Sequence, residues 1–234
     1  MAHSALRPAA SAMSASLGYS CDTGVPRPHD LVWCEPAALA DDPPAWARAC
    51  LASGLPAVIR RAPRCRDRLP VGLRGSHRGQ RYGGHIAESA IIRRVAPESL
   101  TSRRGTRVAA IAAIAEVASV FAAADLCWGI SGAVGFELAS GHPVCHVASD
   151  LDLVVRTPQP MPRSGAAKLR RDLNSLPVRC DVQLETPGGG VALAEWASQA
   201  PSVLIKTDHG PRLSSDPWGT PAVTESGPVA AGRG

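Results

Sequence analysis

The run SDLDLVVRT, residues 149–157, constrains the fold more than any other stretch of the chain. Leu151, Leu153, Val154 and Val155 predict a strand with a buried face, and side chains alternate along a strand, so Asp150 and Asp152 point together to the other side. Pro158, Pro160 and Pro162 follow at once. Proline has no N–H to give a ladder and its φ is fixed, so the strand stops there. An ionised carboxylate beside a buried strand costs free energy unless a cation or hydrogen bonds compensate it. Two carboxylates at alternate positions ask for one common partner.

Around this strand the pattern is one of alternating elements. PPAWARACLASGL at 43–55 predicts a helix stopping at Gly54, and PAVIRR at 56–61 and AIIRRV at 90–95 predict short strands. The Arg- and Gly-rich stretch between those strands shows no clear period. An Ala-rich apolar segment at 109–124 predicts a buried helix, LCWGIS at 126–131 a strand, Gly132 a turn, and AVGFELAS a helix ended by Gly141. GAAKLRRDLNSL at 165–176 predicts a helix with a basic side, and VRCDVQLET at 178–186 alternates as a half-buried strand does. GGGVALAEWA then predicts a turn and a helix start, and SVLIKT a last strand. Helices and strands mixed in this way imply an α+β fold, with a mixed α/β region first and a mixed sheet with flanking helices after it.

Composition bounds what such a fold can do. At 234 residues, 45% of them hydrophobic, the chain is long enough to bury a full core. No uninterrupted apolar run is long enough to span a bilayer, and the N-terminal segment lacks the continuous apolar stretch of a secretory signal. Seven scattered cysteines with no C-x-x-C pair read as reduced thiols in a cytoplasmic protein. The net charge of +5 hides an asymmetry: residues 60–107 hold thirteen arginines against Asp67, Glu88 and Glu98. Guanidinium forks suit phosphates, yet that segment offers only Tyr82 for stacking on a base. Nucleic acid is therefore not the expected partner, whereas a small polyphosphate or an acidic protein is.

The candidate site combines three parts. Asp181, on the strand after the D-x-D, shares a face with Asp150 and Asp152 if the two strands are neighbours. Oxygen ligands of this kind suit Mg²⁺, which keeps waters and binds substrate phosphates, and two such ions can assist attack on phosphorus and departure of pyrophosphate. Upstream, WGISGAVGFEL sets a glycine turn at a helix start, where backbone N–H groups meet phosphate oxygens.

This ordered set resembles the polymerase-beta-like nucleotidyltransferase fold. More narrowly, PHDLVW, RYGGHI, WGISGAVGFELASG, SDLDLVVRTPQP, CDVQLETPGGGVALAEWA, VLIKT and SDPW look like the holo-acyl-carrier-protein synthases of malonate decarboxylase, from about Pro28 to Trp218. The resemblance implies a phosphoribosyl-dephospho-CoA transferase. It implies that a serine of the apo acyl-carrier subunit attacks 2′-(5″-triphosphoribosyl)-3′-dephospho-CoA and that pyrophosphate leaves. It further implies that Asp150 and Asp152 are the catalytic pair and hold two Mg²⁺ ions, with Asp181 either a further metal ligand or the base for the serine, and that Ser131, Gly132, Ala133, Ser149 and Lys206 bind substrate. Ala133 stands where the family's turn has serine, so a hydroxyl is missing there unless Ser131 replaces it. The implied division is a disordered extension over 1–25, an Arg-rich α+β region over 26–108, a nucleotidyltransferase-like catalytic domain over 109–218 and a disordered tail over 219–234.

Two rival readings remain on the residues alone. One is a nucleotidyltransferase of the same fold using ATP or another nucleotide; the other is a degenerate module that only binds a carrier protein.

Overall fold

The computed structural model describes residues 22–40, 42–77 and 79–219. The two expected loose ends therefore fall almost wholly outside the described residues. The fold is α+β and is built on two sheets, one in each half of the chain.

The first sheet has five strands in the order β4-β3-β2-β1-β5, all antiparallel: β1 (Leu31–Trp33), β2 (Ala57–Ile59), β3 (Arg68–Arg74), β4 (Arg81–Ala87) and β5 (Arg93–Val95). One helix, α1 (Ala45–Ala52), packs against it and buries Ala47 and Leu51 with Val32, Ile59, Leu69, Val71, Leu73 and Ile86. The hairpin β3–β4 occupies the Arg- and Gly-rich stretch for which the sequence shows no period. Pro70, Gly72, Gly83 and Gly84 all lie inside its strands, and these are residues that argue against a strand on local grounds. The pairing itself, seven residues in register from Arg68↔Ala87 to Arg74↔Arg81, overrides them.

The second sheet has six strands in the order β11-β10-β9-β8-β7-β6. They are β6 (Cys127–Ile130), β7 (Leu151–Arg156), β8 (Cys180–Thr186), β9 (Gly189–Ala192), β10 (Val203–Thr207) and β11 (Gly210–Ser214). Only β7 and β8 run parallel, and the crossover that a parallel pair needs is α5 (Arg163–Asn174). Ala166, Leu169 and Leu173 recur at the spacing of one helix face and are buried. They meet Leu151, Leu153, Val155, Val182 and Leu184 from one face of the sheet, together with Ile114, Val117 and Phe121 of α3 (Ile114–Ala124). The expected helix over 109–124 is broken at Ala113 into a short α2 (Ala109–Ala112) and α3. The stretch 189–192, expected as a turn, pairs as β9 before α6 (Leu193–Trp196).

The halves meet through the other face of the second sheet. Gly129 of β6 leaves no room for a side chain, because a Cβ there would lie 2.5 Å from the Glu98 nitrogen and from Pro97. The turn at 97–100 thus lies directly on the sheet, which is why Val154, on the Asp152 side of β7, is buried as well. Leu31 joins the core of the second half, and Val58 and Val95 pack against it. One cysteine departs from expectation: Cys127 is disulfide-bonded, whereas Cys34, Cys50, Cys65, Cys145 and Cys180 are free thiols as read. No helix among the described residues is long and apolar enough to cross a membrane.

Candidate active site

The parallel register sets Asp152 directly opposite Asp181, Val154 opposite Gln183 and Arg156 opposite Glu185. Every polar member of these pairs lies on one face, since alternation sends Leu153, Val155, Val182 and Leu184 to the helices. Asp152 is half-buried and Asp181 is exposed. Asp150, just ahead of β7, is 43% exposed and stands 3.7 Å from Arg179. Burial raises the Asp152 carboxyl above its ordinary range, and the charges of Asp181 and Asp150 push it further; Arg74 and His29, from the first half of the chain, partly offset this. A half-buried carboxylate pushed up by two neighbouring carboxylates calls for positive charge.

The glycine turn is in contact with this pair. Gly132 has φ +60, and a Cβ there would overlap the Asp152 carboxylate. No other residue type fits that position without moving Asp152. The Ser131 amide donates to the Asp152 carbonyl at 2.9 Å, which fixes the start of α4 (Gly132–Ser140) beside β7. Further along α4, Glu137 accepts hydrogen bonds from Arg107 and from the amides of Val144 and Cys145, both at 2.9 Å. Arg107, the largest influence, and the two amides hold the Glu137 carboxyl down at about 2 against the cost of its burial. This clamp holds the loop that leads into Asp150.

At the other end of the polar face the charges are matched. Glu185 is bound by Arg61, and its Oε1 lies 3.1 Å from His29 Nε2 and 2.6 Å from the Gln183 amide nitrogen. Burial alone would raise this carboxyl, but His29 and Arg61 outweigh it and leave it at about 2. Arg156 donates to Glu98 at 2.6 Å, and Arg27 reaches the same oxygen at 3.2 Å. A cavity of about 1000 Å³ opens at this end, lined by Arg27, Arg61, Arg156, Met161 and Leu169 among others. The three aspartates are not part of its wall.

Comparison with known proteins decides the family. Residues 27–97 match the N-terminal domain of phosphoribosyl-dephospho-CoA transferase MdcG, and residues 99–217 match its C-terminal domain. The chain belongs to the phosphoribosyl-dephospho-CoA transferase family. A phosphoribosyl-dephospho-CoA transferase of Pseudomonas putida strain W619 is 50% identical over 194 residues, covering 82% of this chain and 95% of that protein. A second one from Pseudomonas putida is 49% identical over 204 residues, covering 87% and 98%. The transferase of Pseudomonas aeruginosa PAO1 is 45% identical over 197 residues, covering 82% and 94%. No solved structure matches the chain.

Within this family fold, the residues singled out from sequence are not all equally close to the carboxylates. Asp150, Asp152 and Asp181 are brought within electrostatic reach of one another, and Gly132 and Ser131 lie against Asp152. Ala133 is partly buried and packs against the hydrophobic core. The Ser149 hydroxyl accepts from the His146 amide at 3.0 Å and closes a local turn. Lys206 donates to Gln183 Oε1 at 2.9 Å, next along β8 on the Asp181 face. Sequence reasoning passed over His29, Arg74 and Gln183. The first lies in the quoted PHDLVW, and Gln183 alternates with Asp181, a signal that was available; nothing local marks Arg74 among thirteen arginines.

Among the described residues no group of three or more His, Cys, Asp or Glu side chains is arranged to hold a metal ion by itself. That does not conflict with magnesium, which is held by one or two carboxylates and otherwise by waters and substrate phosphates. The mutual repulsion at Asp152 is the feature such a cation fits.

Proposed function

We propose that this transferase moves the phosphoribosyl-dephospho-CoA group from 2′-(5″-triphosphoribosyl)-3′-dephospho-CoA to a serine of the apo acyl-carrier subunit of malonate decarboxylase, in the cytoplasm. The observation that carries the reading is Asp152, seated against Gly132 and opposite Asp181, in a chain related over both halves to phosphoribosyl-dephospho-CoA transferases. Its chemistry is nucleotidyl transfer with an unusual donor, on a nucleotidyltransferase-like second half.

In the reaction the serine O–H bond breaks and the oxygen bonds to the α-phosphorus. The bond from that phosphorus to the pyrophosphate oxygen breaks, and pyrophosphate leaves with the electron pair. Asp181, exposed and nearest in register to Asp152, takes the proton. Asp150 and Asp152 are the residues that would hold magnesium; when bound, it would neutralise charge on the phosphate oxygens. The backbone N–H groups at the start of α4 face the same region and bind phosphate oxygens without needing a side chain at 133. Lys206 adds positive charge on the Asp181 face.

The deciding experiment incubates the protein with the apo carrier subunit, the triphosphoribosyl donor and Mg²⁺, and reads the carrier's intact mass. A gain equal to phosphoribosyl-dephospho-CoA is expected. Modification from ATP instead would establish the nucleotide-using reading, and no modification from either donor would leave only a carrier-binding module.

A further inference from the structure

The arginines of residues 60–107 divide sharply once their partners are known. Arg61, Arg64, Arg94 and Arg107 are tied to Glu185, Glu88, Asp30 and Glu137, and Arg93 lies over the Trp33 ring at 4.2 Å. The side chains of Arg60, Arg74 and Arg81 make no hydrogen bond or ion pair with any described residue.

These three share one face of the first sheet. In β3 and β4 the pair Gly72↔Gly83 is followed two residues on by Arg74↔Arg81, and Val58 of β2 pairs with Gly72. Residues directly paired lie on the same face, as do alternate residues along a strand, so Arg60 joins the set two positions after Val58. Because Val58 packs against the core of the second half, this face turns toward the second sheet. Arg60 lies flat over the paired glycines. A Cβ at Gly72 would stand 2.9 Å from Arg60 Cδ, and one at Gly83 would overlap its Nη1.

Like charges directly opposite on antiparallel strands are destabilising. Arginine on an edge strand, as Arg81 is on β4, can serve to block edge-to-edge pairing. That purpose does not require a glycine floor for a third guanidinium, nor a face turned inward. Arg74 also acts electrostatically on Asp152, so the row opens toward the carboxylates.

We propose that Arg60, Arg74 and Arg81 form a polyphosphate site that receives the terminal phosphates of the donor and holds them as leaving pyrophosphate. This rests on the transfer reaction proposed above for its biological ligand, but the site itself is defined by its own residues. Guanidinium forks match phosphate oxygens and stay charged throughout. Set on the sheet opposite the one that carries the aspartates, they place positive charge where charge develops on the leaving group.

The test is calorimetric titration of the full chain with inorganic pyrophosphate at constant Mg²⁺, for wild type, Arg60→Gln, Arg74→Gln, Arg81→Gln and Gly83→Ala. Each arginine variant should bind roughly tenfold to a hundredfold more weakly, as for loss of a hydrogen bond to a charged group. Gly83→Ala, which displaces Arg60 while leaving its charge, should weaken binding as well. Lys168→Gln on α5, a loss of one positive charge outside this face, should bind as wild type does. Equal affinity in wild type, Arg74→Gln and Arg81→Gln overturns the site. Weakened pyrophosphate binding in these variants upholds it even if the wild type fails to modify the carrier, an outcome that would remove only the assigned reaction.

Discussion

The interface between the two sheets has a compensated end and an uncompensated end. At the first, Glu185 and Glu98 are buried among Arg27, His29, Arg61 and Arg156, and each acid is matched by a cation. At the second, Asp181 and Asp150 press on the Asp152 carboxyl while the side chains of Arg60, Arg74 and Arg81 stand unpaired on the opposing sheet. Both ends set carboxylates against arginines. What differs is whether the protein itself has already used the charge.

The strongest test removes a charge from each end. Asp152→Asn should lower the transfer rate by at least about a hundredfold to a thousandfold, yet leave the thermal midpoint unchanged or raised, because a repelled carboxylate is gone. Glu185→Gln should do the reverse in stability: it strands Arg61 in a buried setting and should cost about 3–5 kcal/mol in chemical denaturation. If Asp152→Asn destabilises as much as Glu185→Gln, the two ends are alike and the comparison fails.

Acid provides a third test, on the clamp behind Asp150. The Glu137 carboxyl is held at about 2, below its ordinary 4.5. A depressed carboxyl contributes stability that is complete above its unfolded value and is lost as pH falls toward the folded one. The wild type should therefore lose part of its stability between about pH 4.5 and 2, and Glu137→Gln, already destabilised at neutral pH, should show a shallower loss over the same window. Urea midpoints across that range check it, and an unchanged slope in the variant would detach Glu137 from acid stability.

The smallest effect is expected at Arg93. Its contact with the Trp33 face makes it a structural cation, so Arg93→Ala should cost about 0.5–1 kcal/mol. KM for donor and carrier should stay unchanged. A raised KM would return Arg93 to the group of ligand-binding arginines.

The second sheet was largely legible because its strands carry the alternation that burial demands: β7, β8 and β10 lie where the apolar pattern sets them, as does α5, whose apolar spacing is that of a single face. The carboxylates were legible for the same reason, since a polar residue on a half-buried strand has to face somewhere. In the first sheet β2 and β5 were legible as short apolar runs, but the β3–β4 hairpin was not, because Pro70 and the glycines of β3 and β4 have no strand preference of their own and are held by pairing across the hairpin. β11, over GPRLS, was missed in the same way and exists only against β10.

The sequence by itself determined that two aspartates share one strand face, that a glycine turn precedes them, that the fold is α+β and that the family is a transferase one. Tertiary structure alone decided that Asp181 stands opposite Asp152, that Gly132 must be glycine because the Asp152 carboxylate fills its side-chain space, and which arginines are free. The reason is that charge compensation is a property of contacts between residues far apart in the chain. Arg61 and Arg60 are neighbours in sequence, yet one is neutralised by Glu185 across the interface and the other lies on bare glycine.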